Sequence, residues 1–268
     1  MNISYFSGLS VLVTGASAGI GAEFARQLAP IVTRMVLIAR RSDRLDALKS
    51  ELSEVNPRLE LFTRCVDLRN QDELERFCDW LAQSDLAIDL LINNAGLGDH
   101  GPFIDSQWQR VSSVLDVNIR ALTYLTLKLL PGMRKSGRGA ILNVSSTAGF
   151  LPLPNNAVYA ATKAYVTSFS EAIRAELRSS NITVTTLCPG PVSTEYLSQA
   201  TRPGDHESHT APDFFIVPVQ EIVRKALEAV AKDRARVVPG VFVNFSMTIV
   251  AFIPMFIKRL VYYARLGR

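Results

Sequence analysis

Short apolar runs alternate with longer amphipathic ones along almost the whole chain, and this alternation leaves few folds open. The strand-like runs are Leu9–Val13, Arg34–Ala39, Leu59–Val66, Ile88–Asn93, Gly139–Ser145, Ile182–Leu187 and Arg236–Val238. Several are apolar throughout and rich in Val, Ile and Leu, as strands covered on both faces are. Between them the apolar residues recur at helical spacing over Ile20–Ala29, Arg44–Val55, Gln71–Gln83, Gln107–Leu130, Val158–Ser179 and Val219–Ala231. Pro30 and Pro131 stand where helices should stop. Strands alternating with helices make right-handed βαβ units. The expected fold class is therefore α/β: a doubly wound, seven-stranded parallel sheet with helices on both faces.

The chain has 268 residues, 48% of them apolar and 20% charged, a globular composition. That length suits a single α/β domain able to bury its core without disulfides or metals. Cys65, Cys78 and Cys188 are odd in number and fit no zinc spacing, so they read as reduced thiols. The first strand-like run begins at Leu9, leaving a leader too short for a signal peptide, and a cytoplasmic protein is expected. The formal charge is +4, from 29 basic and 25 acidic residues. Lys258, Arg259, Arg265 and Arg268 account for all of it, in a stretch from Val241 onward that holds no Asp or Glu. The body is thus close to neutral, which argues against a nucleic-acid partner.

The run Leu9–Val13 leads into T-G-A-S-A-G-I-G at 14–21 and then into a helical pattern. A strand, a glycine turn and a helix make a dinucleotide site. Gly15 permits the tight turn, Gly19 lets the backbone approach a pyrophosphate, and Gly21 lets the helix pack on the strand. The phosphates then meet free N–H groups at a helix start.

From this loop onward the sequence resembles the short-chain dehydrogenase/reductase family in its compact form, up to about residue 240. T-G-A-S-A-G-I-G matches the family's cofactor loop, and N-N-A-G at 93–96 its second motif. Asn118 in D-V-N-I matches its asparagine, S-S-T-A-G at 145–149 its serine motif, and Y-A-A-T-K at 159–163 its Y-x-x-x-K motif. P-G-P-V-S-T at 189–194 matches the loop over the nicotinamide. The resemblance implies a Rossmann fold, a homodimer or homotetramer, and a catalytic set of Asn118, Ser146, Tyr159 and Lys163. It selects Ser146 over Ser145 because the family's serine precedes its tyrosine by thirteen positions. For the cofactor it implies contacts from Gly15, Ser17, Gly19, Ile20 and Gly21. Asp67 and Leu68 would meet the adenine, and Asn94, Ala95 and Gly96 the ribose and strand edge. Pro189, Gly190, Val192 and Thr194 would face the nicotinamide, and Tyr159 and Lys163 its ribose. Asn118 would hold a water linking Lys163 to solvent.

The chemistry is legible in the residues themselves. Tyr159 and Lys163 are four apart in a helical pattern and share a face. A free tyrosine, with a pKa of about 10, is a poor base at neutral pH. A nearby ammonium favours the phenolate, which is the tuning a general acid/base needs. Ser146 and Tyr159 would bind the substrate oxygen as negative charge grows on it.

The second strand-like run ends at Ala39, where NAD-preferring relatives usually carry an acid. Arg40 and Arg41 follow and suit a 2′-phosphate, with Ser42 adding a hydroxyl. NADP(H) is therefore the expected cofactor, although the family's other basic position is Ala18 here.

Residues 1–240 are expected to form the catalytic domain, with Ser193–Pro218 as a substrate lid. Its Tyr196, Leu197, Phe214 and Phe215 suit an apolar substrate, and its His206 and His209 are read as solvated, with no metal. For the tail at 241–268, three readings stand. It covers the pocket or a neighbouring subunit, or its basic amphipathic helix docks on an anionic membrane surface, or it spans the bilayer. The expected activity is interconversion of a ketone and a secondary alcohol on an apolar compound. The alternative is an NADP(H) sensor or scaffold without turnover.

Overall fold

The computed structural model describes residues 3–84, 86–192, 195, 200–202 and 216–265. Its seven strands are β1 (Ser10–Thr14), β2 (Arg34–Ala39), β3 (Glu60–Cys65), β4 (Leu90–Asn93), β5 (Gly139–Val144), β6 (Ile182–Leu187) and β7 (Arg236–Val237). They form one sheet in the order β3-β2-β1-β4-β5-β6-β7. Every neighbouring pair is parallel. This is the doubly wound α/β sheet the alternation predicts, with strand ends shifted by a residue or two.

Both faces are covered, so β1 and β4 are buried at every position and are apolar except at their ends, where Ser10, Thr14 and Asn93 stand. On one face lie α1 (Gly19–Leu28), α2 (Ser42–Val55) and α7 (Val219–Ala231), whose Phe24, Leu45 and Val223 share a core with Val11, Val13 and Leu37. On the other lie α3 (Gln71–Gln83), α5 (Leu122–Ser136) and α6 (Ala157–Leu177), whose Leu74, Leu125 and Ile173 pack with Leu12 and Val36. Alternate residues of one strand thus feed opposite cores. Helix α3 shows how local signals agree: Asn70 caps its start by accepting from the Asp72 and Glu73 amides, and Leu74, Phe77 and Leu81 form its buried stripe.

The expected single helix Gln107–Leu130 is interrupted. It runs as α4 (Trp108–Leu115), a π-helical turn over Asp116–Ala121, and then α5. The wider turn carries Asn118 into the interior, where its amide is hydrogen-bonded. Nor does Pro131 end the helix: it lies within α5, which closes at Gly137 in the left-handed region. Pro131 is on the exposed side, so water can take the carbonyl that its missing N–H leaves unbonded.

The tail folds as α8 (Val241–Phe252) and α9 (Met255–Arg265), broken at Pro254. Val243 is buried against the domain, whereas Phe242, Phe245, Ile249 and Phe252 form an exposed stripe. No described helix is long and apolar enough to cross a membrane. Among the described residues no group of three His, Cys, Asp or Glu side chains could hold a metal ion. Thr194, Arg268 and the lid residues Tyr196, Leu197, His206, His209, Phe214 and Phe215 lie outside the described residues.

Candidate active site

The strand order reverses between β1 and β4, and the loops leaving their carboxyl ends diverge there to open a crevice. Thr14, last in β1, pins the two loops together: its Oγ1 accepts from the Asn94 and Ala95 amides at 3.0 and 2.9 Å. Asn94 replies by donating from Nδ2 to the Thr14 carbonyl at 2.9 Å. Gly21 sits where a Cβ would lie 2.3 Å from the Gly15 carbonyl oxygen, so only glycine lets α1 start this close to the turn. No side chain caps α1, which leaves its first amides to whatever lies in the crevice.

A cavity of about 660 Å³ extends from this loop across the ends of β4, β5 and β6. It is lined by Gly15, Ser17, Gly19, Ile20, Arg40, Arg41, Asp67, Leu68, Asn94, Ala95, Gly96, Ser146, Tyr159, Lys163, Pro189, Gly190 and Val192. Gly21 lies beneath it, and Asn118 behind Gly96.

At the far end, Ser146 follows β5, and Tyr159 and Lys163 project from the first turns of α6. Lys163 is buried, its Nζ 5.7 Å from the centre of the Tyr159 ring and donating to the Val144 carbonyl at 2.8 Å. Burial pushes the Lys163 ammonium down to about 8. Behind it Cys188 is also buried, and burial pushes its thiol up to about 11, which leaves it an inert neighbour. Ser145 turns inward instead, within 2.8 Å of the Lys163 carbonyl and of the Thr167 hydroxyl. Ser146 stays on the cavity side, its Oγ accepting from the Ala148 amide at 3.1 Å.

Asn118 has both amide hydrogens and one oxygen lone pair engaged. Its Oδ1 accepts from the Leu97 amide at 2.8 Å, and its Nδ2 donates to the Leu97 carbonyl and the Thr162 hydroxyl, both at 2.9 Å. Its first role here is to lock the π turn to the loop after β4, and a water could use only its remaining lone pair.

The cation pair splits. Arg40 is exposed, while Arg41 reaches back over the phosphate loop, with Nη2 3.1 Å from the Ser17 hydroxyl. Glu195, which sequence reading passed over, accepts from Arg41 and from Arg44 at 3.1 and 2.8 Å. The Arg44 and Arg41 guanidiniums hold the Glu195 carboxyl below its ordinary range. Asp67 lines the cavity with its carboxylate paired to Arg69, which likewise depresses its pKa. Sequence reading also missed His100, Leu151, Leu153 and Met247, which line the same cavity. No local signal marks them, because each reaches the cavity from a loop or from the tail.

The fold and this crevice define a class, nucleotide-dependent oxidoreductases on a doubly wound sheet, and the comparisons narrow it. The profile of the short chain dehydrogenase family matches residues 10–204, and the chain belongs to that family. It is 37% identical over 198 residues to the NADP-dependent 3-hydroxy acid dehydrogenase YdfG of Salmonella typhi, spanning 74% of this chain and 78% of the relative. It is 35% identical over 196 residues to the very-long-chain 3-oxoacyl-CoA reductase of Homo sapiens, spanning 72% of this chain and 62% of that protein. Among solved structures, a short-chain dehydrogenase from Sphingobium yanoikuyae in complex with NADPH superposes with a TM-score of 0.78. It is 30% identical, with 97% of this chain and 94% of the other covered.

Proposed function

We propose that this protein is an NADP(H)-dependent oxidoreductase that interconverts a ketone and a secondary alcohol on an apolar substrate, with Tyr159 as acid and base. The observation that carries the reading is the buried Lys163 ammonium beside the Tyr159 ring, in one cavity with Ser146. The uncapped start of α1 and the glycine cradle fit a dinucleotide pyrophosphate, and Arg41, with Ser17 and Arg44 around it, fits a 2′-phosphate. When bound, the nicotinamide supplies or accepts the hydride.

Ser146 and Tyr159 hydrogen-bond to the substrate oxygen and oppose the negative charge that develops as its carbon is reduced. Tyr159 gives its phenolic proton to that oxygen. Lys163, one helical turn further on, stabilises the phenolate left behind. In the oxidative direction the same phenolate takes the proton from the alcohol. Leu97, Leu151, Leu153 and Met247 line the cavity beyond this pair and favour an apolar body on the substrate. Assembly into a homodimer or homotetramer belongs to the same reading and is measured by sedimentation.

Tyr159→Phe is expected to lower turnover of a ketone panel by at least ~100-fold, the usual worth of a positioned acid/base. NADPH affinity, read by fluorescence titration, should stay within about twofold, since binding rests on the phosphate loop. Retained turnover overturns the assignment. A wild-type enzyme that binds NADPH and reduces nothing in the panel would instead mark a cofactor sensor or scaffold.

A further inference from the structure

Three chain segments meet at the mouth of the substrate half: residues 98–106 after β4, residues 151–156 after β5, and residues 200–202. His100, Leu151, Leu153, Asn156, Ala200 and Thr201 line the cavity from these segments. Nothing in the catalytic set accounts for the charged cluster that joins the first of these segments to the third.

The Asp99 side chain is only 2% exposed, and both its oxygens are taken. Arg202 grips it with a two-pronged fork, Nε to Oδ1 at 2.9 Å and Nη2 to Oδ2 at 2.7 Å. Arg110, from α4, adds Nε to Oδ1 at 3.0 Å. Each guanidinium also bonds a neighbouring segment. Arg202 donates to the Pro102 carbonyl at 2.9 Å and to the Ser106 hydroxyl at 2.6 Å, and Arg110 lies 3.4 Å from the Ala200 carbonyl.

The backbone follows the same pattern. The His100 amide donates to the Ala200 carbonyl at 2.9 Å, and the Gly101 amide to the Asn155 carbonyl at 2.8 Å. Gly101 sits at φ +140°, and a Cβ there would lie 2.8 Å from Nη1 of Arg202, so the guanidinium needs a glycine beside it. Burial by itself opposes ionisation of Asp99, but the two guanidiniums outweigh it and hold the carboxyl below its ordinary range.

A buried ion pair is weak evidence of stabilisation, because desolvation offsets most of the attraction; what a two-pronged fork adds is fixed geometry. We propose that Asp99 is a positioning residue for the substrate: through Arg202 and Arg110 it holds the part of the cavity wall formed by His100, Ala200 and Thr201, which Gly101 ties to the segment Leu151–Asn156. It touches no reacting atom. Its effect is on how the substrate body is held, and the proposal rests on the ketone-reduction reading.

Asp99→Asn keeps the shape and removes the charge that both arginines grip. In the full chain loaded with NADPH, the KM for a bulky ketone should rise at least ~10-fold, the scale of a lost charge-assisted hydrogen bond. Both kcat and NADPH affinity should hold within about threefold, since the proton donor and the phosphate loop are untouched. Exchange of the His100 amide hydrogen should quicken at least ~10-fold while the β1 and β4 amides keep their protection. Arg202→Lys keeps the charge, loses the fork and should move KM in the same direction, which serves if Asp99→Asn does not fold. Unchanged KM, or losses in kcat and NADPH affinity that parallel the rise in KM, overturn the proposal. A wild type that reduces no ketone sinks the reaction reading, and the positioning role with it. Faster His100 exchange would then show a purely structural clamp, and unchanged exchange would show no clamp at all.

Discussion

Lys163 meets two opposing demands. In the proposed mechanism it stabilises the Tyr159 phenolate as a cation, yet it is buried, and burial pushes its pKa down to about 8 from an ordinary 10.5. In the cofactor-free enzyme the protonated form is therefore lost as pH rises through about 8. A kcat/KM profile for ketone reduction taken at limiting NADPH reports ionisations of the cofactor-free enzyme and should fall above that point. The effect on stability has the opposite sign. Between about 8 and 10.5 the unfolded chain holds more protons than the folded one, so this group makes stability rise with pH across that window. Replacing it by methionine should remove the slope while abolishing activity. Melting temperatures from pH 6 to 11 check this; a variant that keeps the wild-type rise between about 8 and 10.5 counts against the account.

At the scale of elements, α8 is ambiguous in sequence, and its packing adds one contact that sequence could not supply. Its outer stripe of Phe242, Phe245, Ile249 and Phe252 is exposed, and its inner side sends Met247 into the cavity wall. Of the three readings of the tail, the one in which it covers the pocket has this contact in its favour. Met247→Trp should cut kcat/KM for a bulky ketone by ~10-fold or more, as over-filling a pocket does, and spare a small one. Equal effects on both substrates would remove Met247 from the wall. The π turn makes a related point. The apolar pattern through 107–130 is helical throughout, and nothing local shows that the helix widens at Asp116–Ala121 to carry Asn118 inward. That widening is stabilised by contacts to Leu97 and Thr162, far away in sequence.

For the whole molecule, one sheet separates two cores, and its central strands contribute to both. Phe24 on one face and Leu74 on the other are both fully buried. Phe24→Ala and Leu74→Ala should each cost ~2–5 kcal/mol. Both should leave a single cooperative transition, because β1 and β2 contribute to both cores and neither face can melt alone. Denaturant melts followed by tryptophan fluorescence and by circular dichroism would diverge if the faces unfolded separately.

The number, order and type of most elements were legible because a strand covered on both faces has to be apolar and an amphipathic helix has to repeat with its own period. The glycine turn after β1 was legible for a similar reason: its glycines answer local backbone demands, as the 2.3 Å approach at Gly21 shows. The spacing of Tyr159 and Lys163 also carries its own meaning, since one helical turn is a local distance. Other features depended on contacts between distant parts of the chain. The Asp99 clamp joins residues about a hundred positions apart, Glu195 reaches Arg41 and Arg44 across the crevice, and Met247 arrives from the tail. Periodicity records which face of an element is buried, and that can be read residue by residue. Which charged side chain meets which, and which loop walls a cavity, is set only once the strand order has brought the loop ends together.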